Sequence, residues 1–251
     1  MPTDVQCLVE TDGSTTVVRL SGLLTPAGAD TVRDILLTRL CARPGPLVVD
    51  LSALRSAAPG TGRLFAEVHR AVADWPAAGL LILDPGRLTL AAGSTPPGPD
   101  APPVCATPAE ALAVLAGAPA AAPVHTDLAP VVGAAREARV TVTESCARWG
   151  LPELAEPGCI AVTEMVNNAV AHARTGMTLR LAPRAGALHL AVRDYSRRQP
   201  AFAGLAPPTS TGGRGLLLID TVARRWGSTD VPDGKVVWCV LYAEDEAAFR
   251  H

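Results

Sequence analysis

The stretch Ile160–Ala173, IAVTEMVNNAVAHA, constrains the chain most. Val162, Met165, Val166, Ala169 and Ala173 fall at i, i+3, i+4, i+7 and i+11, an apolar stripe that predicts one helix with a core-facing side. Glu164, Asn168 and His172 fall at i, i+4 and i+8 and make a second, polar stripe, with Asn167 one turn from Glu164 beside it. A carboxylate and two amides are costly to bury unpaired. Helix propensity gives no reason for adjacent asparagines in such a segment. Two readings stand at this point: a solvated outer face, or a ligand site with an acid and an amide one turn apart.

The remaining composition narrows the class. Of 251 residues, 48% are hydrophobic and only 4% aromatic, so a core is expected from Ala, Val and Leu. That length suits one large domain or two of ordinary size. With 22 basic and 24 acidic residues, the net charge of −2 offers no basic footprint for nucleic acid. No signal pattern and no apolar run of membrane-spanning length is visible, so a cytoplasmic chain is expected. The 6 cysteines are scattered, never in C-x-x-C spacing, and read as reduced small residues rather than zinc ligands or a disulfide framework.

Along the chain, Val17–Gly22 reads as a strand, preceded by a shorter apolar run around Cys7–Val9. Thr25-Pro26 reads as an N-cap with proline at the first helical position, followed by Ala29, Val32, Ile35, Leu36 and Leu40 at helical spacing. Leu47–Leu51 and Gly79–Leu83 are short runs of buried-strand type, with a helix expected over Thr61–Trp75 between them. The proline-rich Ala91–Pro103 is a loop. Val104-Cys105 then precedes a helix whose Thr107 and Glu110 have capping-box spacing. Ala116–Pro123 is the best boundary, giving a first domain over 1–116, a linker over 117–123 and a second domain over 124–251.

Beyond the boundary, Leu128–Trp149 is expected to be mostly helical. Val131, Val132, Ala135, Val140, Val142 and Cys146 are its buried candidates, and Gly150 is its stop. Met177–Ala182 and Ala187–Asp194 read as strands joined by a hairpin. Ser196–Thr211 is polar and proline-rich, Leu216–Trp226 is expected to be a helix, and Lys235–Tyr242 a final strand. Alternating strands and helices make both halves α/β.

Asp194 closes a strand, and Gly212-Gly213-Arg214-Gly215 feeds a helix. Glycines there let backbone N–H groups approach a phosphate at a helix N-terminus. The loop is neither a Walker A motif nor a dinucleotide fingerprint. Alone, each feature is ordinary turn chemistry; in this order and spacing they are specific.

Residues 124–243 resemble the ATP-binding domain of anti-sigma-factor serine kinases, within the gyrase/Hsp90/histidine-kinase/MutL ATPase superfamily. The resemblance rests on Glu164-Met-Val-Asn-Asn168-Ala-Val-x-His172-Ala173, on Asp194, and on Gly213-Arg214-Gly215-Leu216. It implies a two-layer α/β sandwich of the histidine-kinase ATPase (Bergerat) type with ATP and Mg²⁺ as cofactors. Glu164 would be the general base and Asn168 the Mg²⁺ ligand. Asp194 would accept from the adenine amino group. Ser196, Arg214 and Leu216 would belong to the nucleotide-binding set with Gly213 and Gly215, which would cradle the phosphates. Ser196–Thr211 would cover the nucleotide. Ser196 stands where the first glycine box often has glycine, and Thr211 near a position often acidic. A sensor histidine kinase is a poor fit, because no long dimerising helix with an acceptor histidine is visible.

Residues 1–116 resemble a STAS domain, the fold of anti-sigma-factor antagonists, through Val17–Gly22, Leu47–Leu54 and the element order. Antagonists carry an Asp-Ser pair after the D-L-S strand, and here Ala58-Pro59 occupies that place. Proline has no hydroxyl. A docking or autoinhibitory module is therefore expected rather than a phospho-acceptor. The two resemblances imply a serine/threonine kinase of a partner-switching transcription pathway. Its partners would be a sigma factor and a separate STAS antagonist, with intramolecular STAS docking and a homodimer both open. A nucleotide-dependent binding module without useful transfer is the alternative.

Overall fold

The computed structural model describes residues 4–12, 15–86, 101–116, 121–196 and 214–243. The chain divides into two compact units, Met1–Ala73 with Ala77–Ala120, and Asp74–Pro76 with Ala121–His251. Both are mixed α/β, each around one five-stranded sheet.

In the first unit, β1 (Gln6–Asp12), β2 (Thr15–Leu24), β3 (Gly45–Ala57), β4 (Ala78–Leu83) and β5 (Val104–Cys105) lie side by side in chain order. The β1–β2 pair is antiparallel and the rest parallel. Parallel neighbours need crossovers, which α1 (Pro26–Ala42), α2 (Arg63–Val72) and the chain between β4 and β5 supply. The Thr25 side chain accepts the Gly28 N–H at 3.1 Å, so α1 starts as its cap residue and Pro26 require. Val32, Leu36 and Leu40 turn inward with Val18, Leu20, Val49 and Ile82. Before α3 (Pro108–Ala116), Thr107 accepts the Glu110 N–H at 3.2 Å and the Glu110 carboxylate accepts the Ala106 N–H at 2.8 Å.

The second unit has sheet order β6-β7-β8-β10-β9, every pair antiparallel. The strands are β6 (Val124–Leu128), β7 (Met177–Arg184), β8 (Ala187–Asp194), β9 (Arg225–Val231) and β10 (Gly234–Tyr242). Ala185 and Gly186 both take positive φ, 52° and 78°, the two-residue hairpin conformation that joins β7 to β8. Leu188, Leu190 and Val192, with Leu179, Leu181, Val237, Cys239 and Leu241, present one face of the sheet. Helices α4 (Ala134–Trp149), α5 (Ala155–Asn168) and α6 (Arg214–Val222) cover that face, giving two layers. Gly158 lets α5 lie close: a Cβ there would stand 2.8 Å from Val142 Cγ1 and 3.2 Å from Leu188 Cδ2.

Several elements differ from the sequence reading. The helix expected over Leu216–Trp226 ends at Val222, and Trp226 sits in β9. A polar segment with a glycine has little strand propensity of its own; pairing along β10 holds it extended, and the Trp238 ring lies over Gly227. Leu128 closes β6 rather than opening a helix, and α4 begins only at Ala134. Val131 and Val132 fall in the preceding turn and are exposed, against expectation, as is Val140. Val140 is about 200° around α4 from the buried Ala138 and Val142 side. Gly150 is the expected stop, left-handed at φ 68°. Most of Ala91–Pro103, Pro200–Thr211 and residues 117–120 lie outside the described residues.

Asp50 ties β3 to β2. It is buried, and its Oδ2 accepts from Arg19 Nε at 2.9 Å while its Oδ1 accepts the Ser52 N–H at 2.9 Å. Burial pushes this carboxyl up, but the hydrogen bonds from Ser52 and Arg19 outweigh it, and the net direction is below the ordinary Asp range. A carboxyl held low when folded contributes stability above its unfolded value, and that stability is lost as pH falls through the folded one. Acid unfolding followed by circular dichroism is expected to show a protein already weakened at neutral pH in Asp50→Asn. Its stability then falls less steeply than the parent's as the pH drops below the ordinary Asp range.

Candidate functional site

α5 carries the polar stripe that the sequence singles out. Val162, Met165, Val166 and Ala169 are buried, and Glu164 and Asn168 are half-buried one turn apart beside them. The side chain of neither Glu164 nor Asn168 hydrogen-bonds to any described residue. Asn167 is exposed. The helix does not run on to Ala173 as a uniform α-helix. Ala169–Ala173 widens into a π turn, closed by the Arg174 N–H on the Ala169 carbonyl at 3.0 Å and by Arg174 in the left-handed region at φ 55°. This carries His172 off the Glu164–Asn168 line and into solvent.

The π turn leads directly into β7, whose Met177 is paired with Asp194 at the end of β8. The chain leaving the π turn therefore enters the sheet at the end where β8 finishes. The Thr175 hydroxyl accepts the Tyr195 N–H at 3.1 Å and fastens the two segments. α6 packs against α5, and its C-terminus hands over to β9, whose first residue pairs with Val240 at the far end of β10. The first turn of α6 carries Arg214, Gly215 and Leu216. The first N–H groups of a helix have no intrahelical partner. Gly213 lies outside the described residues.

Asp194 is buried and held by two neighbouring donors, the Ser196 N–H and Lys235. Its Oδ1 accepts the Ser196 N–H at 2.9 Å and Lys235 Nζ at 3.0 Å, and its Oδ2 stands 2.9 Å from the same Nζ. Lys235 is the residue that sequence reasoning missed. It is the directly opposite partner of Asp194 in the β8–β10 ladder, 41 positions away. One signal was available: a lone cation opening the otherwise apolar Lys235–Tyr242 run. Beside it, Arg193 Nη2 alone reaches both Asp233 carboxylate oxygens at 2.7 Å, and the guanidinium lies 4.7 Å over the Tyr195 ring. Of the sequence-predicted residues, Asp194 and Ser196 meet at the end of β8, Glu164 and Asn168 lie one turn apart on α5, and Arg214, Gly215 and Leu216 open α6.

Among the described residues no group of three or more His, Cys, Asp or Glu is placed to hold a metal. Asn168 could serve a hard cation only as one ligand beside water and ligand oxygens, and Mg²⁺ accepts such sparse protein ligation. The cysteines are free thiols. Burial pushes Cys239 up to about 12 and, with smaller effects from Cys159 and Glu153, Cys146 to about 11, so neither is a nucleophile near neutral pH.

In the first unit, Ala58 and Pro59 occupy the turn before α2. Thr61 is buried, and its hydroxyl donates to the Ala58 carbonyl at 2.6 Å.

Comparison with known proteins places this geometry. Residues 129–241 match the family model of the histidine kinase-like ATPase domain, and this half of the chain is such a domain. Among solved structures, the chain is similar to one with the RsbU and RsbW domains of a Mycobacterium tuberculosis protein. The identity is 20% and the TM-score 0.38, over 48% of this chain and 32% of that one, so this chain spans about a third of that structure's length. It is also similar to an anti-sigma factor antagonist from Mycobacterium paratuberculosis, at 20% identity and a TM-score of 0.36, over 45% of this chain and 94% of that one. No curated protein sequence matches. No described helix is long and apolar enough to cross a membrane.

The approach of β10 to the site is tight. A Cβ on Gly234 would collide with the Asp194 carbonyl oxygen and stand 2.8 Å from Tyr195 Cα, both backbone atoms that cannot yield. Gly234→Ala is expected to lose about 1–3 kcal/mol in urea denaturation, as overpacked sites do.

Proposed function

We propose that the second unit binds Mg-ATP and transfers the γ-phosphate to a serine or threonine hydroxyl of a separate STAS-type antagonist. The chain would also hold a sigma factor, in a cytoplasmic partner-switching pathway. One observation carries this reading. The side chains of Glu164 and Asn168 stand half-buried and without a partner among the described residues, on the helix whose chain runs on into β7, where Met177 pairs with Asp194. A ligand with a proton to lose and an oxygen-bound cation satisfies both.

The roles follow residue chemistry. Glu164 takes the proton of the attacking hydroxyl. Asn168 offers an amide oxygen to Mg²⁺, which when bound neutralises phosphate charge. Asp194 accepts from the adenine amino group. Gly213, Arg214, Gly215 and Leu216 supply backbone N–H groups at the α6 start, where a helix end favours an anion. Such transfer needs positioning and electrostatic stabilisation more than covalent chemistry.

The first unit is proposed as a STAS-like docking or autoinhibitory module. Pro59 supplies no hydroxyl, and that of Thr61 is buried and spent on Ala58. A tethered module has a high effective concentration, so weak docking suffices. The alternative is a module that uses bound nucleotide only to shape its partner surface.

Single-turnover assays with γ-labelled ATP and STAS antagonist proteins separate these. Transfer is expected from the parent chain and to fall at least about a hundredfold in Glu164→Ala, the usual weight of a positioned base. Tight ATP binding with no transfer to any substrate sinks the kinase reading and leaves the binding module. Mass spectrometry after incubation with Mg-ATP is expected to find no stoichiometric phosphate on Ser56 or Thr61. Its presence on either would overturn the assignment of the first unit.

A further inference from the structure

Lys235 and Asp194 face each other across β8 and β10 with side chains only 5% exposed each. An ammonium has three donors. Here it has three acceptors: Asp194 Oδ1 at 3.0 Å, Asp194 Oδ2 at 2.9 Å and the Ser196 carbonyl at 3.3 Å. The Ser196 N–H adds a second donor to Oδ1 at 2.9 Å. Oδ1 therefore holds two donors and Oδ2 one, so the remaining acceptor capacity of the carboxylate is concentrated on Oδ2.

We infer that Lys235 is a positioning residue for base recognition: with the Ser196 N–H it locks the Asp194 carboxylate so that Oδ2 accepts from the 6-amino group of a purine. The inference rests on the reading of Asp194 as the base acceptor. Lys235 does not touch the base. It acts by removing the rotational freedom that an unpaired carboxylate would lose on binding, and preorganised acceptors bind more tightly than those ordered by the ligand. It also holds the Ser196 carbonyl, so the carboxylate and the residue after the strand move as one body. Stability alone does not call for such a pair, since buried ion pairs are often matched or bettered by apolar residues of similar volume.

The test is titration calorimetry on the full chain with ATP, with purine riboside triphosphate, which lacks the 6-amino group, and with ITP, which has a 6-oxo group. The parent is expected to bind ATP about ten- to hundredfold tighter than purine riboside triphosphate, the weight of a hydrogen bond to a charged group. In Lys235→Met that ratio is expected to shrink to about threefold or less, with the affinity for purine riboside triphosphate unchanged. Equal weakening toward both nucleotides, or an unchanged ratio, overturns the proposal and makes Lys235 structural. Should Lys235→Met fail to fold, Asp194→Asn and Asp194→Asn/Lys235→Met replace it. In the single variant the Ser196 N–H holds the amide oxygen at the Oδ1 position, and the NH₂ at the Oδ2 position turns the Lys235 ammonium toward that oxygen and the Ser196 carbonyl. It is then expected to prefer ITP to ATP, and the double variant to lose that preference. The same ITP/ATP ratio in both overturns the role of Lys235. A parent chain that binds none of the three triphosphates overturns the base-acceptor reading of Asp194 and this inference with it.

Discussion

The second unit turns on the junction where β8 and β10 meet at Asp194 and Lys235. Taking both charges out of water costs several kcal/mol per ion, and their attraction repays this only with good geometry and satisfied donors. Those conditions hold: the ammonium has three acceptors, and the carboxylate has the Ser196 N–H as well. Gly234 makes the approach possible, because any side chain there would strike the Asp194–Tyr195 backbone. The ion pair, the glycine and the strand register are thus one constraint. A slip of one residue would carry Lys235 to the other face of the sheet and leave Asp194 buried without its cation.

The first unit uses the same device under different conditions. Asp50 also sits on a strand opposite a cation, Arg19, at 2.9 Å. There the cation is 41% exposed, so water screens the pair and the loss of one partner is softened. Lys235 has no such recourse. The two aspartates look alike in sequence, each closing or following an apolar run, LVVD and LAVRD. The burial of the cation separates the two pairs: Arg19 is 41% exposed and Lys235 5%.

What was legible in the sequence was local. The Thr25-Pro26 start, the Thr107/Glu110 cap, the Gly150 stop and the hairpin at Ala185-Gly186 are written within a few residues, and the structure reproduces each. The α5 stripe was legible because 3.6-residue periodicity survives composition. β9 was not, since Arg225-Trp-Gly-Ser-Thr-Asp-Val231 becomes a strand only by pairing with β10. Nor was Lys235 as a partner of Asp194, because their meeting is a matter of register across 41 residues. The valines at 131 and 132 misled for a related reason: they look like the start of an apolar helix face, but the helix begins after them. Of the site itself, Glu164, Asn168 and Asp194 were readable as types in an order. That α5 runs on into the strand paired with the one ending in Asp194 was not, because it depends on the turn at Ala169–Ala173.

That joint is the π turn. A regular α-helix through Ala173 would have kept His172 in line with Asn168 and prolonged the polar stripe by a turn. The wider turn ends the stripe at Asn168 and sends the chain, through left-handed Arg174, into a strand paired with the one that ends in Asp194. π turns inside α-helices are costly in backbone geometry and concentrate where function requires them. Here the cost has a local purpose. Residues 169–176 join Asn168 to the Met177–Asp194 pair, and the Thr175–Tyr195 hydrogen bond fastens the last of them to the end of β8. Glu164 and Asn168 on α5 and Asp194 on β8 are then carried by elements joined through β7, so that a shift of the helix end is resisted by the β7–β8 ladder.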